Sequence, residues 1–381
     1  MPFYAVVLNG VVLLIVLYYL YRGNALKKIA YARRFNRMTA FEGDRVEMVE
    51  EIENRKLLPV PWLRLESLMS RHLEFGRQAN FDIRSGETFQ NHLSLFSLRP
   101  YRRIVRRHDI RCAKRGYYML GTATMTAGEP LGLVQVSRHF AVDPSPLTVY
   151  PRIVPLAELP LPNHGWLGSL PVRRWIVPDQ FLAAGVRAYA PGDPLSGIHW
   201  KATARTGELQ VHRRDYTADH RLVVVLNVEI RADMWKTVTD PERIEQGIRY
   251  AATVIDYALG KGIETGLISN GWVAGEAKAP IRIESGGGAV QLERLLAALA
   301  KLRLETVQNM AYLLEREAES AGRRTDYLIV SCHREEKLSI AADKLRSLGN
   351  GVEWMDIPEG KDRPGEPETA GGEGNGHEGE T

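Results

Sequence analysis

The sequence predicts an α+β multidomain protein with one N-terminal transmembrane helix, then an antiparallel β-sandwich, then a doubly wound α/β domain. Three patterns lead to this fold class. The chain begins with a long uncharged apolar run, continues with short segments that alternate apolar and polar residues, and ends with helical periods separated by continuous apolar runs. Its 381 residues are enough for two folded domains and an appendage.

The first element is an apolar helix. Residues 3–21 form a run of 19 residues without a charge, which at about 1.5 Å per residue matches the roughly 30 Å hydrocarbon thickness of a bilayer. A cleaved signal peptide is the main alternative, but it favours a basic residue before the apolar run, a shorter core and small residues at a cleavage site. The sequence offers none of these, so residues 1–22 are predicted to be a membrane anchor.

A basic segment follows the anchor, and its cations all precede the first acidic residue, Glu42: Arg22, Lys27, Lys28, Arg33, Arg34 and Arg37. By the positive-inside rule this flank stays in the cytoplasm, so both folded domains are predicted to be cytoplasmic and attached to the cell (inner/plasma) membrane. Residues 23–37 are interpreted as a juxtamembrane segment close to anionic lipid headgroups. The two cysteines, Cys112 and Cys332, are too few for a disulfide framework, which agrees with a reducing compartment.

Residues 38–143 predict the β-sandwich. Segments at 45–52, 63–67 and 92–98 alternate apolar and polar residues, and Gly, Pro and Asn separate them. Short strands at this spacing are typical of an antiparallel sandwich.

A dense basic strip lies within this predicted domain: Arg99, Arg102, Arg103, Arg106, Arg107, Arg111, Lys114 and Arg115. Such clusters neutralise phosphates in nucleic-acid-binding proteins. Aromatic residues are sparse around the strip and no nucleic-acid motif frames it, so a solvated strand face that also touches lipid headgroups is the favoured interpretation. Nucleic acid is therefore not predicted as a partner.

Two segments of unusual composition flank the last domain. Prolines recur through residues 144–180, which indicates a stiff, extended linker. Residues 358–381 are rich in Gly, Glu and Pro and are predicted to be a disordered acidic tail. The tail carries a net charge of −5, so the formal charge of +4 conceals a charge of +9 on the rest of the chain.

The densest motif spans residues 187–216 and is punctuated as a short helix. Asp193 stands at a predicted N-cap, Pro194 at the first helical position and Gly207 at the left-handed C-terminal stop. Lys201 and Arg205 are four residues apart, so they lie side by side on one helix face. The motif therefore predicts a helix with a buried stripe and a cationic edge.

The order Arg187-x-Tyr189-x-Pro191-Gly192-Asp193-Pro194, followed by Ile198-His199-Trp200-Lys201-Ala202-x-Ala204-Arg205, resembles the signature of the bacterial domain-of-unknown-function family 58 (DUF58). The resemblance implies a MoxR-type AAA+ ATPase as the partner. It also implies that residues 181–357, which hold the signature, form a von Willebrand factor A-like domain.

The pattern after the signature alternates helices and strands. Residues 221–226 form a continuous apolar run of the kind that is buried on both faces of a parallel sheet. Further elements are predicted as helices at 241–259, 289–302, 309–319 and 335–348 and as strands at 263–269, 326–331 and 352–357. This alternation is typical of an open, doubly wound α/β domain.

A metal site is the first chemistry to consider at the strand ends of such a domain. A-type modules bind a cation through Asp-x-Ser-x-Ser after the first strand, where this chain has Asn227-Val-Glu229-Ile-Arg231. An amide replaces the leading carboxylate, and a guanidinium replaces a hydroxyl ligand and repels a divalent ion. The site is therefore predicted to be degenerate, and neither a metal nor another cofactor is expected.

Nucleophilic catalysis is also disfavoured. Cys332 and His333 are adjacent on a predicted strand, so their side chains point to opposite faces and cannot form a dyad. Walker motifs are missing from the sequence, so any ATP hydrolysis belongs to another protein. The alternative is a membrane-associated hydrolase with His199 as base and Arg187 or Arg205 holding an anion, although its nucleophile is not identified.

The leading hypothesis is a non-enzymatic, membrane-anchored adaptor that docks protein partners in assembly, maturation or cell-envelope processes. The residues expected to bind the partner are Arg187, Asp193, His199, Lys201 and Arg205. Structural roles are expected for Tyr189, Pro191, Gly192, Trp200 and Gly207, with Tyr189 and Trp200 packing between domains. An anion- or nucleic-acid-binding module is a further alternative, and self-association of the chain is left open.

Overall fold

The computed structural model describes residues 3–76, 81–85, 89–132, 134–160, 183–189, 198–214, 221–231, 239–320 and 325–359. The chain divides into two compact units. The sandwich unit contains the chain up to Ile153 together with Val273–Gly275 and Val290–Arg303. The α/β unit contains Val154–Trp272, Glu276–Ala289 and the chain from Leu304 onward. The predicted tail from residue 360 onward lies outside the described residues.

Helix α1 (Phe3–Asn24) opens the sandwich unit. Its mean hydropathy is 2.3, and by length and composition it can cross a membrane. The prediction of an apolar N-terminal helix is therefore confirmed.

Strands of the sandwich unit follow in chain order: β1 (Ile29–Phe35), β2 (Thr39–Phe41), β3 (Arg45–Asn54), β4 (Val60–Ser70), β5 (Leu73–Phe75), β6 (Phe81–Ser85), β7 (Phe89–Leu98), β8 (Arg103–Cys112), β9 (Gly116–Gly128) and β10 (Gln135–Tyr150). They form one sheet in the order β1-β3-β8-β5 and another in the order β2-β10-β9-β4-β7-β6. All pairings are antiparallel among the described residues, except that β2 runs parallel to β10. Apolar side chains from both sheets share the buried core.

The structure corrects two predicted boundaries. Residues 29–35, which were assigned to a juxtamembrane segment at 23–37, form β1 and pair with β3 along its whole length. The run of cations conceals this strand, because Ile29, Arg33 and Phe35 all point into the interior. The predicted linker at 144–180 also begins inside a strand, since β10 continues to Tyr150, and its residues 161–180 lie outside the described part.

A charged cluster is buried between the two sheets. Arg33 and Glu50 are 3% and 4% exposed, and His92 and His108 are both 2% exposed. The hydroxyl group of Tyr31 donates to Glu50 Oε1 at 2.8 Å, and His108 Nε2 lies 3.6 Å from Glu50 Oε2. Burial raises the pKa of Glu50, but hydrogen bonds from His108 and Tyr31 outweigh it and lower that pKa. Burial, together with the charges of Arg33 and His108, lowers the pKa of His92 to about 4.

We expect the sandwich unit to lose stability as the pH falls from about 6.5 to about 4. In that range His92 binds a proton in the unfolded chain but not in the native state. The free energy of unfolding therefore decreases as the pH decreases, by about 3 kcal/mol in total. Calorimetric unfolding at pH 7, 5.5 and 4 should show this loss in the wild type and a smaller one in His92→Gln. The same pH dependence in both proteins would contradict the assignment.

Elements of the C-terminal part begin with a 3₁₀ helix at Leu156–Glu158 and continue in chain order: β11 (Ala183–Ala188), α2 (Trp200–Thr206), β12 (Gln210–Arg214), β13 (Arg221–Leu226), α3 (Pro241–Gly260), β14 (Glu264–Ser269), β15 (Trp272–Val273), β16 (Ile281–Gly286), α4 (Gly288–Lys301), β17 (Leu302–Arg303), α5 (Met310–Ser320), β18 (Thr325–Ser331), α6 (Glu336–Ser347) and β19 (Gly351–Asp356). The main sheet has the order β16-β14-β13-β18-β19. Strands β14, β13, β18 and β19 are parallel, and β16 is an antiparallel edge strand that the sequence did not predict.

Helices cover both faces of this sheet. One face packs against α5 and α6 through Val223, Val225 and Ile329. On the opposite face α3 approaches closely at Gly247, where an added Cβ atom would lie 2.3 Å from Ile357 Cδ1. The direction of winding reverses between β13 and β18, because β13 connects forward to β14 on one side and β18 to β19 on the other.

Helix α4 was predicted within the α/β domain, but its residues from Val290 onward belong to the sandwich unit. Its C-terminal end is capped by Arg115, which is 7% exposed. Arg115 Nη1 donates to the carbonyl oxygens of Leu299 at 2.6 Å, Ala300 at 3.2 Å and Leu302 at 3.1 Å. A guanidinium is well suited to the carbonyls of Leu299 and Ala300, because these groups in the last turn of the helix carry the negative end of its dipole.

Candidate functional site

The signature forms a β-hairpin with a short helix in its loop. Strand β11 pairs antiparallel with β12, with Arg187 opposite Val211. The Tyr189 N–H donates to the carbonyl oxygen of Leu209 at 2.9 Å, which continues the pairing past the end of the strand. The predicted site residues Pro191, Gly192 and Asp193 lie outside the described residues.

Helix α2 begins at Trp200, and its N-cap is His199, whose Nδ1 accepts the N–H of Ala202 at 3.1 Å. The predicted N-cap, Asp193, lies outside the described residues. The backbone of Ile198 bridges to Val211 and the His199 N–H donates to Gln210, so these residues are held in extended conformation and cannot be helical. Gly207 ends the helix with φ +75°, a left-handed conformation that favours glycine.

The outer surface of α2 combines an aromatic ring with two cations. Trp200 is 68% exposed, whereas the sequence predicted that it would pack between domains. The inward positions are occupied instead by Ile198, which is buried, and by Ala202, which is half-buried. Lys201 and Arg205 are exposed, and neither forms an ion pair with any described residue. Tyr189 is half-buried.

A polar cluster lies at the carboxyl ends of β13, β14 and β18, where the winding of the sheet reverses. Asn227 Oδ1 accepts the backbone N–H of Glu229 at 3.1 Å and Asn270 Nδ2 at 3.0 Å. Asn227 Nδ2 donates to Ser331 Oγ at 3.1 Å and lies 3.4 Å from His333 Nε2. Such a reversal point at the strand ends is where open α/β sheets bind ligands.

Glu229 is the titratable centre of this cluster and is 6% exposed. Burial raises the pKa of its carboxyl group to about 7, and the charge of Glu335 adds to the increase. Hydrogen bonds from the Met310 N–H, at the start of α5, and from Asn270 partly oppose that rise. The cluster therefore contains a buried carboxyl group whose pKa lies near neutral pH.

The cluster has few groups with which to hold a cation. The side-chain oxygen of Asn227 already accepts two hydrogen bonds, and Arg231 is exposed. Across the part of the chain that the structure describes, no three His, Cys, Asp or Glu side chains come together in a metal-binding arrangement. Glu229 is the carboxylate of the cluster, and the side chains of Asn227, Asn270 and Ser331 are engaged in hydrogen bonds with one another.

The thiol and imidazole next to the cluster do not form a catalytic pair. Burial raises the pKa of Cys332 to about 11, so the thiol stays protonated at neutral pH. His333 Nε2 faces Asn227, and burial lowers the pKa of this imidazole. Ser331 Oγ donates to the His333 carbonyl oxygen at 2.8 Å, so its hydroxyl group is also engaged.

Sequence reasoning identified Asn227 and Glu229 but missed Asn270 and Ser331. The same criterion that identified Asn227, a polar residue at the carboxyl end of a parallel strand, applies to both. Asn270 comes directly after β14, and Ser331 is the last residue of β18. Carboxyl ends of parallel strands meet at one edge of a sheet, so polar residues at these positions are expected to lie together.

The basic strip on the sandwich unit is partly neutralised. Arg103, Arg107 and Arg111 point outward from β8 and lie 2.5 Å, 3.5 Å and 3.6 Å from carboxylate oxygens of nearby glutamates. Arg106 lies over the ring of Phe96, with 3.9 Å between the guanidinium carbon and the ring centroid. The strip therefore presents a mixed charged face.

These features define a class of protein in which an apolar helix and a β-sandwich are joined to an open α/β unit with a polar cluster at its strand ends. Residues 185–354 match the family described as "Protein of unknown function DUF58", so the chain carries a DUF58 domain and the resemblance drawn from the signature is supported. The uncharacterized protein YeaD of Bacillus subtilis (strain 168) is 21% identical over 343 residues, which cover 88% of this chain and 77% of that protein.

Two solved domains resemble part of the chain. The CARDB domain of the PF1109 protein from Pyrococcus furiosus is 15% identical, covers 32% of this chain and 91% of that chain, and has a TM-score of 0.21. The cohesin module of a family 33 glycoside hydrolase from Clostridium perfringens ATCC13124 is 9% identical, covers 32% of this chain and 98% of that chain, and has a TM-score of 0.22. TM-scores this low do not support a functional comparison.

We expect Glu229→Gln to stabilise the α/β unit at high pH. Because the pKa of Glu229 is raised to about 7 in the native state, its contribution to stability is lost as the pH rises from about 4.5 to about 7. The glutamine variant carries no such penalty, so it should gain up to about 3 kcal/mol at pH 8 and little at pH 4.5. Unfolding at both pH values measures this, with Glu336→Gln as an exposed control. An equal effect at both pH values would refute the assignment.

Proposed function

We propose that this protein is a membrane-anchored adaptor whose α/β unit docks a protein partner through helix α2. The observation that carries the proposal is the exposed Trp200 beside the exposed cations Lys201 and Arg205 on one short helix. A tryptophan that is 68% exposed leaves apolar area in water that a partner can cover. Trp and Arg are also the residue types most enriched among the residues that dominate binding energy at protein interfaces.

Charge suggests the chemistry of the partner. Lys201 and Arg205 have no counterion among the described residues, so an acidic surface of a partner can approach without displacing an existing ion pair. Opposite charges across an interface accelerate encounter and set its orientation. A partner with an exposed carboxylate pair and an apolar pocket for the indole ring fits this surface.

The scaffold beneath α2 supports rigid presentation. The hairpin fixes the start of the helix through the Ile198 bridge and the His199 cap, and Gly207 fixes its end. His199 Nδ1 is used for capping, which leaves only its other ring nitrogen for the role of a base in the alternative hydrolase hypothesis. A rigid surface loses less entropy on binding than a flexible one.

The finer identification of the α/β unit belongs to this proposal. A central first strand, helices on both faces and a polar cluster at the strand ends favour a von Willebrand factor A-like module. In such a module, the hydrogen-bond network centred on the amide of Asn227 would stand where a metal centre is expected. We infer that such a module binds partners without a bridging cation.

The identity of the partner and the side of the membrane are inferred from the sequence. The DUF58 signature implies a MoxR-type AAA+ ATPase, and the cations after α1 favour a cytoplasmic position for both units. The adaptor would then hold the ATPase at the membrane during assembly, maturation or cell-envelope processes.

Charge reversal on α2 tests the adaptor proposal. The full-length protein in detergent should capture a co-expressed MoxR-type ATPase, and Lys201→Glu with Arg205→Glu should reduce that capture at least tenfold. Thermal stability should remain within about 1 kcal/mol of the wild type, because the substitutions are on the surface.

The matched control is Lys337→Glu with Lys344→Glu, which reverses two exposed charges on α6 of the same unit. This control should leave capture unchanged. Trp200→Ala should weaken capture without changing its salt dependence. Full capture by the α2 charge-reversal variant would contradict the proposal.

A further inference from the structure

The C-terminal end of α1 is built into the core of the sandwich unit. Tyr21 is 3% exposed, Ala25 is 1% exposed and Leu26 is 5% exposed, and all three belong to the same apolar cluster as Leu63 and Leu65 of β4. Leu17, one turn earlier, also packs against this cluster. The Tyr21 hydroxyl group donates to the carbonyl oxygen of Pro59 at 3.2 Å.

Lys56 fixes the loop after β3 to the end of this helix. Its side chain is buried, and Nζ donates to the carbonyl oxygens of Asn24 at 2.6 Å and Lys27 at 2.9 Å, and also to that of Ala25. The last carbonyls of a helix have no partner within the helix and carry the negative end of its dipole. A buried ammonium at this position therefore holds the loop and the helix end together.

A second loop rests on the first one. The Tyr101 N–H donates to the Lys56 carbonyl oxygen at 3.3 Å. Asn54 Nδ2 donates to the carbonyl oxygen of Arg99 at 3.1 Å. The backbone N–H of Asn54 donates to the carbonyl oxygen of Arg102 at 2.9 Å. Residues 54–59 and 99–102, called the exit loops here, thus lie beside the point where α1 enters the sandwich unit.

The length of α1 determines how far the exit loops lie from the centre of a bilayer that the helix spans. Because Leu17 and Tyr21 already contact the sandwich unit, the described part of α1 that stands clear of it is residues 3–16, which rise about 21 Å. The hydrocarbon core of a bilayer is about 30 Å thick. A spanning helix of this kind therefore brings the adjoining rim of the sandwich unit into the headgroup layer.

The exit loops carry side chains suited to that layer. Leu57 is 74% exposed and Tyr101 is 69% exposed, and Tyr101 adopts φ +51°, which is unfavourable for a bulky residue and points to a function for its position. Arg99 and Arg102 are exposed next to them. Tyrosine is enriched at membrane interfaces, and each cation close to an anionic surface contributes about 1 kcal/mol of attraction.

We propose that the exit loops form a contact surface for anionic lipid headgroups, with Leu57 and Tyr101 inserted and Arg99 and Arg102 bound to phosphate groups. This inference rests on the proposed membrane anchoring by α1. It adds that the sandwich unit lies on the bilayer in a fixed orientation.

Lipid-quenching fluorescence tests this surface in the full-length protein. Single cysteines are introduced in a Cys332→Ser background as Leu57→Cys and Tyr101→Cys, labelled with an environment-sensitive dye and reconstituted in vesicles that contain phosphatidylglycerol and headgroup spin-labelled lipid. Both positions should be quenched severalfold more than Met38→Cys. Met38 is also 74% exposed, but it comes after Phe35, the end of β1 that is farther from the helix junction.

Leu14→Cys within α1 reports insertion independently, in matched vesicles whose spin label is on the lipid acyl chain, because this residue lies near the middle of the apolar helix. Quenching at Leu14 without quenching at Leu57 or Tyr101 would overturn the headgroup surface and leave the anchor intact. Lack of quenching at Leu14 would overturn both the anchor and the surface. These vesicles contain no other protein. A lack of quenching at the exit loops would therefore show that the loops do not bind lipid, which would leave them available to a protein partner.

Charge reversal tests the preference for anionic lipid. Arg99→Glu with Arg102→Glu should lower quenching at Leu57→Cys severalfold in vesicles with phosphatidylglycerol and should have little effect in vesicles of phosphatidylcholine alone. The control, Lys337→Glu with Lys344→Glu, should change neither. Equal quenching in both lipids before and after charge reversal would contradict the role of the two arginines.

Discussion

The structure depends on one junction, at which the end of an apolar helix becomes part of a β-sandwich core. Tyr21, Ala25 and Leu26 are buried with residues of β4, and Lys56 binds the carbonyl groups that end the helical segment. Without these contacts α1 would be a flexible tether, and the position of the sandwich unit relative to a bilayer would be undefined. With them, the end of the helix is part of the sandwich core, and we propose that the loops beside the helix face the membrane surface.

The α/β unit has a buried polar network at its strand ends and an exposed surface on helix α2, which we propose binds a partner. At its strand ends Asn227, Asn270 and Ser331 satisfy one another's hydrogen bonds around Glu229, so the network stabilises the sheet edge and leaves few groups for a cation. Trp200 and the neighbouring cations lie on a helix that is fixed at both ends. We propose docking as the role of this unit; the thiol near the network stays protonated at neutral pH, and the hydroxyl group of Ser331 is already hydrogen-bonded.

Local patterns in the sequence predicted most of the α/β unit. The apolar run at 221–226 predicted β13 without error, and the helix at 241–259 was observed one residue longer, since both have strong periodicity or continuous burial. Features that depend on distant residues were not predicted. Arg33 was assigned to the juxtamembrane segment, although β1 buries it opposite Glu50 of β3. The cap that Arg115 provides to α4 likewise joins residues far apart in sequence. Trp200 was expected to be buried but is exposed. The hydrophobicity of a residue does not show which side of a short helix already packs against other residues.

Hydrogen exchange across the helix junction tests the central claim most directly. In the full-length protein reconstituted in lipid nanodiscs, the amides of Ala25 and Lys27 donate to Tyr21 and Asn24 and should exchange as slowly as the paired amides of β4. Lys56→Met should accelerate exchange at both positions while the strand remains protected. Rapid exchange at Ala25 and Lys27 in the wild type would show that helix and sandwich are not one body, and would contradict the account.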